Sequence, residues 1–223
     1  MKWFCGGLIM LFMVSSTYAS ETYFYKRYEE KSGRLVDNSK FIIDTLDDGR
    51  GWFIWDNTNE SAKEISEYFY NIEGMCTEWG RIFEAEGTNF KVINSGKELA
   101  IKGTLKGKEV DKSVKYDKYQ YFANPKIELM RFIKSGDKKV KFWTLRSDTL
   151  QLYQMVAQNK GIDTVSINGT TTRAYRIDWG PDLGMLSKYF NRIYWFRESD
   201  LIFVKQTGSN KYVRELIPEI TIN

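Results

Sequence analysis

The chain has 223 residues and a mass of 26.2 kDa, with 42% hydrophobic, 28% charged and 16% aromatic residues and a formal charge of +4. That composition supports one substantial hydrophobic core, and three prolines set against 7 Trp, 14 Tyr and 14 Phe exclude disorder as the dominant state. Histidine is absent, which removes His-based triads, His-ligated metals and an imidazole base together.

In chain order, residues 1–19 have the make-up of a secretory signal. Lys2 supplies a positive start, Trp3 to Val14 are uncharged and mostly apolar, and Thr17 and Ala19 are the small residues of a cleavage site. The apolar stretch falls short of the ~20 residues needed to cross a bilayer. The expectation is therefore an exported, periplasmic protein, cleaved near Ala19, with residues 20–223 forming a single β-rich domain. Cys5 leaves with the signal, and Cys76 becomes the sole cysteine. A disulfide-stapled fold is excluded, a buried core thiol is expected, and an intermolecular bridge stays open.

Turn signals then recur at the short spacing of a meandering antiparallel sheet. Residues 22–28 read as a strand ending at Lys31-Ser32-Gly33. Residues 41–46 and 52–55 flank Asp47-Asp48-Gly49 as a hairpin. Residues 66–72 fit both a helical period and an aromatic-rich strand, and their hairpin-like neighbours favour the strand. Further strands are expected over 77–83, 89–93, 99–105 and 110–116, followed by a loop over 117–124. Asn124 as N-cap, Pro125 at the first position and Ser135-Gly136 as stop frame a helix with Ile127, Met130 and Ile133 on one face. Strands resume over 140–145, 150–157, 164–167 and 174–179, the last two flanking the hairpin signal Asn168-Gly169. Residues 193–196 and 201–205 flank Glu198-Ser199-Asp200, and 212–217 completes the series. About eleven strands with one or two short helices predict a mainly β fold: a large curved antiparallel sheet, or half-barrel, wrapped around helix.

Several runs are apolar on both faces, so large side chains could line a concave pocket: Trp52, Trp55, Met130, Trp143, Tyr153, Met155, Trp195 and Phe203. The structural alternative is that they only fill the core. Lys102 to Arg146 holds thirteen basic and five acidic residues. Within that run Lys106, Lys108, Lys138, Lys139 and Lys141 are candidates for contact with an anionic membrane surface, or else solvated strand edges that oppose aggregation. In an exported protein nucleic acid is not the expected partner of this run. No phosphate loop, calcium loop or zinc ligand set occurs. Glu84 and Glu86 form one of many carboxylate pairs expected among 29 acidic residues. No catalytic residue, metal or cofactor is predicted, and a hydrolase is the lesser alternative.

The order Arg146-Ser147-Asp148-Thr149-Leu150-Gln151-Leu152-Tyr153-Gln154-Met155-Val156, then Ile167-Asn168-Gly169 with Ala174-Tyr175-Arg176-Ile177, then Tyr194-Trp195-Phe196-Arg197-Glu198-Ser199-Asp200, resembles a family of exported bacterial proteins. That family is a domain of unknown function related to the lipoprotein-localisation carriers of the LolA and LolB type. The resemblance covers about 140–205. It implies an open, strongly curved sheet around helix, with no catalysis and no cofactor, and a concavity suited to an apolar or lipid-like ligand. The expected function is a monomeric, non-enzymatic protein binding or carrying such a ligand. The alternative is a structural or interaction protein of the cell envelope with a filled core.

Overall fold

The computed structural model describes residues 19–45, 49–59, 62–184, 191–208 and 212–217. The predicted signal, apart from Ala19, lies outside the described residues, as does the tip of the hairpin at Asp47-Asp48. The strands are β1 (Ala19–Glu29), β2 (Leu35–Thr45), β3 (Gly51–Asp56), β4 (Glu64–Tyr70), β5 (Cys76–Phe83), β6 (Thr88–Asn94), β7 (Glu98–Leu105), β8 (Lys108–Lys115), β9 (Gln120–Tyr121), β10 (Lys139–Leu145), β11 (Leu152–Ile167), β12 (Thr170–Pro181), β13 (Arg192–Arg197), β14 (Phe203–Gly208) and β15 (Tyr212–Leu216). The helix α1 spans Pro125–Lys134.

All fifteen strands join one open curved sheet in the order β8-β7-β6-β5-β4-β3-β2-β1-β15-β14-β13-β12-β11-β10-β9. Two meanders meet where β1 pairs with β15, Tyr25 facing Leu216 and Arg27 facing Arg214. Every predicted strand overlaps an observed one, including the ambiguous segment, which is β4. The predicted stop between 157 and 164 is instead an irregularity within β11. There Asn159 Oδ1 accepts from Gly161 N at 2.9 Å, and the register with β12 shifts between Asn159 and Ile162. Polar turn chemistry has made a bulge, because flanking residues on both sides pair with the same neighbour. At the far end of that hairpin Asn168 and Gly169 adopt φ of 48° and 80°, the left-handed pair that a two-residue hairpin demands.

The antiparallel expectation holds except at one pair. β9 lies in the predicted loop and pairs parallel to β10, Phe142 with Gln120 and Trp143 with Tyr121. α1 is the crossover between them, as a parallel pair requires. Asn124 caps the helix, its side chain accepting from Lys126 N at 3.2 Å, and Pro125 opens it. Ile127, Glu128, Leu129, Phe132 and Ile133 are all buried, so more than the one predicted face is covered. A helix held within a curved sheet meets protein on several sides.

The inner face is a belt of rings that crosses the junction of the two meanders. Phe41 lies 5.4 Å from Trp55, Trp55 5.3 Å from Tyr25, Tyr25 5.5 Å from Phe203 and Phe203 5.0 Å from Tyr194. Trp179, Phe142 and Phe122 continue it toward β9. Tyr25 also donates to the Phe203 carbonyl at 2.7 Å, so its hydroxyl is satisfied inside the core.

The sheet's two edges approach each other without joining a backbone ladder. Lys112 on β8 donates to the Leu150 carbonyl at 2.9 Å, and Arg81 reaches Ser147 at 3.3 Å. Trp79 Nε1 donates to Tyr121 Oη at 2.8 Å, and the Tyr116 and Tyr121 rings lie 5.7 Å apart. Within the β6–β7 ladder Gly103 has a φ of 134°, and a Cβ there would sit 2.3 Å from the Asn89 carbonyl oxygen.

Candidate functional site

A cleft of about 620 Å³ opens beside α1 where the sheet's edges approach. Phe122, Phe132, Tyr116, Tyr121 and Val140 give it apolar and aromatic walls, and Glu73, Lys118, Arg131 and Asp137 add charge. Arg131 comes from the helix, its guanidinium 5.7 Å from the Tyr70 ring and donating to the Glu73 carbonyl at 3.3 Å.

Glu128 also lines the cleft, and it is buried. Its carboxylate accepts from Tyr70 Oη at 2.6 Å, from Ala123 N at 2.9 Å and from Asn124 N at 3.1 Å, tying β4 and the helix entry together. Burial raises its pKa to about 7, although the hydrogen bonds from Tyr70 and the backbone favour the charged form. The same burial, with Glu128 as neighbour, raises Tyr70 well above its ordinary value. Cys76 is buried nearby, its thiol against the Glu78 carbonyl at 3.3 Å and its pKa pushed well up by burial and then by Glu128. A buried, high-pKa thiol is unreactive.

On another flank of α1 lies Lys126, about 200° around the helix from Glu128. Its Nζ sits 4.2 Å from the centre of the Trp55 ring and 5.7 Å from that of Phe203. Burial, and then the charges of Arg214 and Arg192, press its amine well below the ordinary lysine value. Arg214 lies 4.8 Å from the same Trp55 ring and 4.0 Å from Asp37, which Arg27 also engages.

Of the eight apolar residues predicted to line a pocket, none borders the cleft. Trp55 and Phe203 come together on the inner face around Lys126. Met130 follows Lys126 by one helical turn and is half-buried against the core. Met155 and Tyr153 share the face of Phe142 farther along the sheet. Trp52, Trp143 and Trp195 lie on the alternate face of their strands. Trp52 stacks on Phe69 at 5.9 Å, Trp143 donates to the Asp117 carbonyl at 2.9 Å, and Trp195 lies under Arg176 at 5.8 Å. The five predicted lysines do not form one patch. Lys106 and Lys108 flank the β7–β8 turn, and Lys106 acts electrostatically on Asp148 beyond the end of β10. Lys138 and Lys139 lie at the opposite end of β10, and Lys141 pairs with Asp182 at 2.5 Å.

Lys126, Glu128 and Arg214 are site residues that the sequence reading did not single out. One signal was present: a cation in the first turn of a helix opposes the macrodipole, so Lys126 is out of place for an ordinary surface lysine. Among the described residues no three potential metal ligands converge, and no helix is long and apolar enough to cross a membrane.

No known protein family and no curated protein matches the chain. Among solved structures it is similar to a β-barrel-like protein of the domain of unknown function DUF1849 from Brucella abortus. The TM-score is 0.60 at 8% identity, over 87% of this chain and 93% of that one. At that identity the likeness is one of fold: a barrel-like curved sheet. A DUF1329 family protein from Desulfovibrio piger aligns over 94% of this chain and 89% of its own, with a TM-score of 0.26 and 8% identity.

Proposed function

We propose that the protein is an exported, non-enzymatic binding protein that takes an apolar or lipid-like ligand into the concavity of its curved sheet. The observation that carries this reading is the cleft of about 620 Å³ between α1 and the approaching sheet edges, walled by Phe122, Phe132, Tyr116, Tyr121 and Val140. Its size lies within the range of about 300–1,000 Å³ usual for small-ligand sites. Burying an acyl chain there would contribute roughly 0.8 kcal/mol per CH₂, so a chain of moderate length suffices without any polar anchor. The neutral form of Glu128 would suit such a ligand, since a protonated carboxyl adds no charge to an apolar wall.

A second reading is favoured by the ring belt itself. Tyr25, Phe41, Phe142, Phe196 and Phe203 are almost wholly inaccessible, so much of the concavity is occupied by the protein's own side chains. A filled sheet acting as a structural or interaction protein of the envelope would look the same there.

Native mass spectrometry of the protein purified from its own envelope without detergent separates the two. An adduct of lipid mass, lost on organic extraction and absent from a Val140→Trp variant that narrows the cleft, is the expected result. A bare mass, together with no displacement of an apolar dye by dodecanoate, would leave the interaction protein as the reading.

A further inference from the structure

The inner face carries a concentration of positive charge that the acidic groups among the described residues counter only in part. Lys126 Nζ and the Arg214 guanidinium share the Trp55 ring, at 4.2 and 4.8 Å. Arg192 projects from β13 opposite Trp179 and lies 5.5 Å from that ring. Among the described residues Lys126 Nζ has no hydrogen bond and no ion pair, only the faces of Trp55 and Phe203. Arg214 Nε and Trp179 Nε1 are buried without an acceptor. The acidic groups that act on Arg214 are already engaged: Asp37 by Arg27, and Glu64 by Arg81 at 3.0 Å.

Like charges gathered over one ring repel, and a half-buried ammonium without a counter-ion is costly to keep. Cation–π contact with Trp55 offsets part of that cost and does not replace a counter-charge. One unpartnered acceptor stands nearby, Asp37 Oδ1 at 4.0 Å from Arg214, whereas Lys126 has no ion pair among the described residues. Ammonium, guanidinium and indole N–H are donors only, so the complement must be an acceptor, and the charges require it to be negative.

We propose that Lys126 and Arg214, both against the Trp55 ring as platform, with the exposed Arg192 as a further cation nearby, form a binding site for an oxyanion, a carboxylate or phosphate. The site is distinct from the cleft, which lies on the Glu128 flank of the helix, and it stands whether or not the cleft takes an apolar ligand. The oxyanion is either free or the head of an amphiphile; both offer the same charge and acceptors.

Isothermal titration of the purified protein with inorganic phosphate, dodecyl phosphate, dodecanoate and dodecanol tests this. The Lys126→Met and Lys126→Arg variants are compared with Lys138→Met, an exposed control. At least one anionic probe is expected to bind the wild type, Lys126→Arg and the control alike, and to weaken at least tenfold with Lys126→Met. The ligand-free Lys126→Met protein is expected to melt at a higher temperature than the wild type, because it no longer holds an unpaired cation. Inorganic phosphate binding would assign a free ion, and binding of the dodecyl anions alone would assign an amphiphile head. Should Lys126→Met fail to fold, Arg214→Gln is expected to show the same tenfold loss. No anion binding by the wild type, or equal binding by Lys126→Met, overturns the proposal. Dodecanol binding that falls with Lys126→Met as much as the anions' does would also overturn the proposal, because no oxyanion would then be recognised.

Discussion

Tyr70 donates its hydroxyl proton to Glu128 across 2.6 Å, joining strand β4 to the helix inside the curve of the sheet. The relation matters because the carboxyl it serves is buried and titrates near neutrality. A group with a pKa of about 7 in the folded chain and about 4.5 when unfolded holds a proton through that window that the unfolded chain has lost. Its contribution to stability is therefore fully present below about pH 4.5 and is lost as the pH rises toward 7. The loss is on the order of 3 kcal/mol. Urea unfolding midpoints measured between pH 4.5 and 8 should fall with rising pH, and Glu128→Gln should flatten that slope. Tyr70→Phe removes a bond that favours the charged form, so it should move the slope to higher pH. A slope unchanged in Glu128→Gln would show that another group sets it.

Gly103 on β7 pairs with Phe90 on β6. With φ at 134° and a would-be Cβ 2.3 Å from the Asn89 carbonyl oxygen and 2.7 Å from Phe90 Cα, the neighbour that must give way is backbone. Gly103→Ala should destabilise by at least about 1–3 kcal/mol. Thermal melts against Gly107→Ala, where a Cβ meets nothing within 4 Å, would isolate the clash, since both positions have positive φ. Equal losses would mean that conformational strain alone is at work.

Cys76 should be silent in the folded protein. It is 1% exposed, and burial holds its thiol in the protonated form. Maleimide labelling followed by mass spectrometry of the peptide containing Cys76 should show no modification in buffer and complete modification in urea. Rapid labelling in buffer would mean that β5 opens readily and that an intermolecular disulfide is within reach.

Hairpins at Asn168-Gly169 and at Glu198-Ser199-Asp200, and the capped start of α1 at Asn124-Pro125, were legible because each depends on a few adjacent residues. The same holds for a curved β-rich fold around helix, which followed from many short strands and too little helix to cover them. The faces of those strands were not legible. Trp52 and Trp55, three residues apart, lie on opposite sides of β3, and Trp195 lies on the side opposite Phe203's partner Phe196. Strands apolar on both faces carry no alternation to tell inner from outer, so residue type alone placed Trp52, Trp143 and Trp195 in a pocket they do not line.

The amino-acid sequence by itself determined the local order: strand, turn and cap, each written in neighbouring residues and their backbone preferences. Only the tertiary structure decided what the charges do. Lys126 sits in a basic run that reads as solvated surface, yet its surroundings come from residues 55, 192, 203 and 214, brought together where the two meanders meet. Glu128 likewise owes its raised pKa to burial as the sheet closes around α1, against the opposing hydrogen bonds from Tyr70 and the backbone. Solvation and electrostatic fields are sums over spatial neighbours, and in a sheet of this topology those neighbours come from distant parts of the chain.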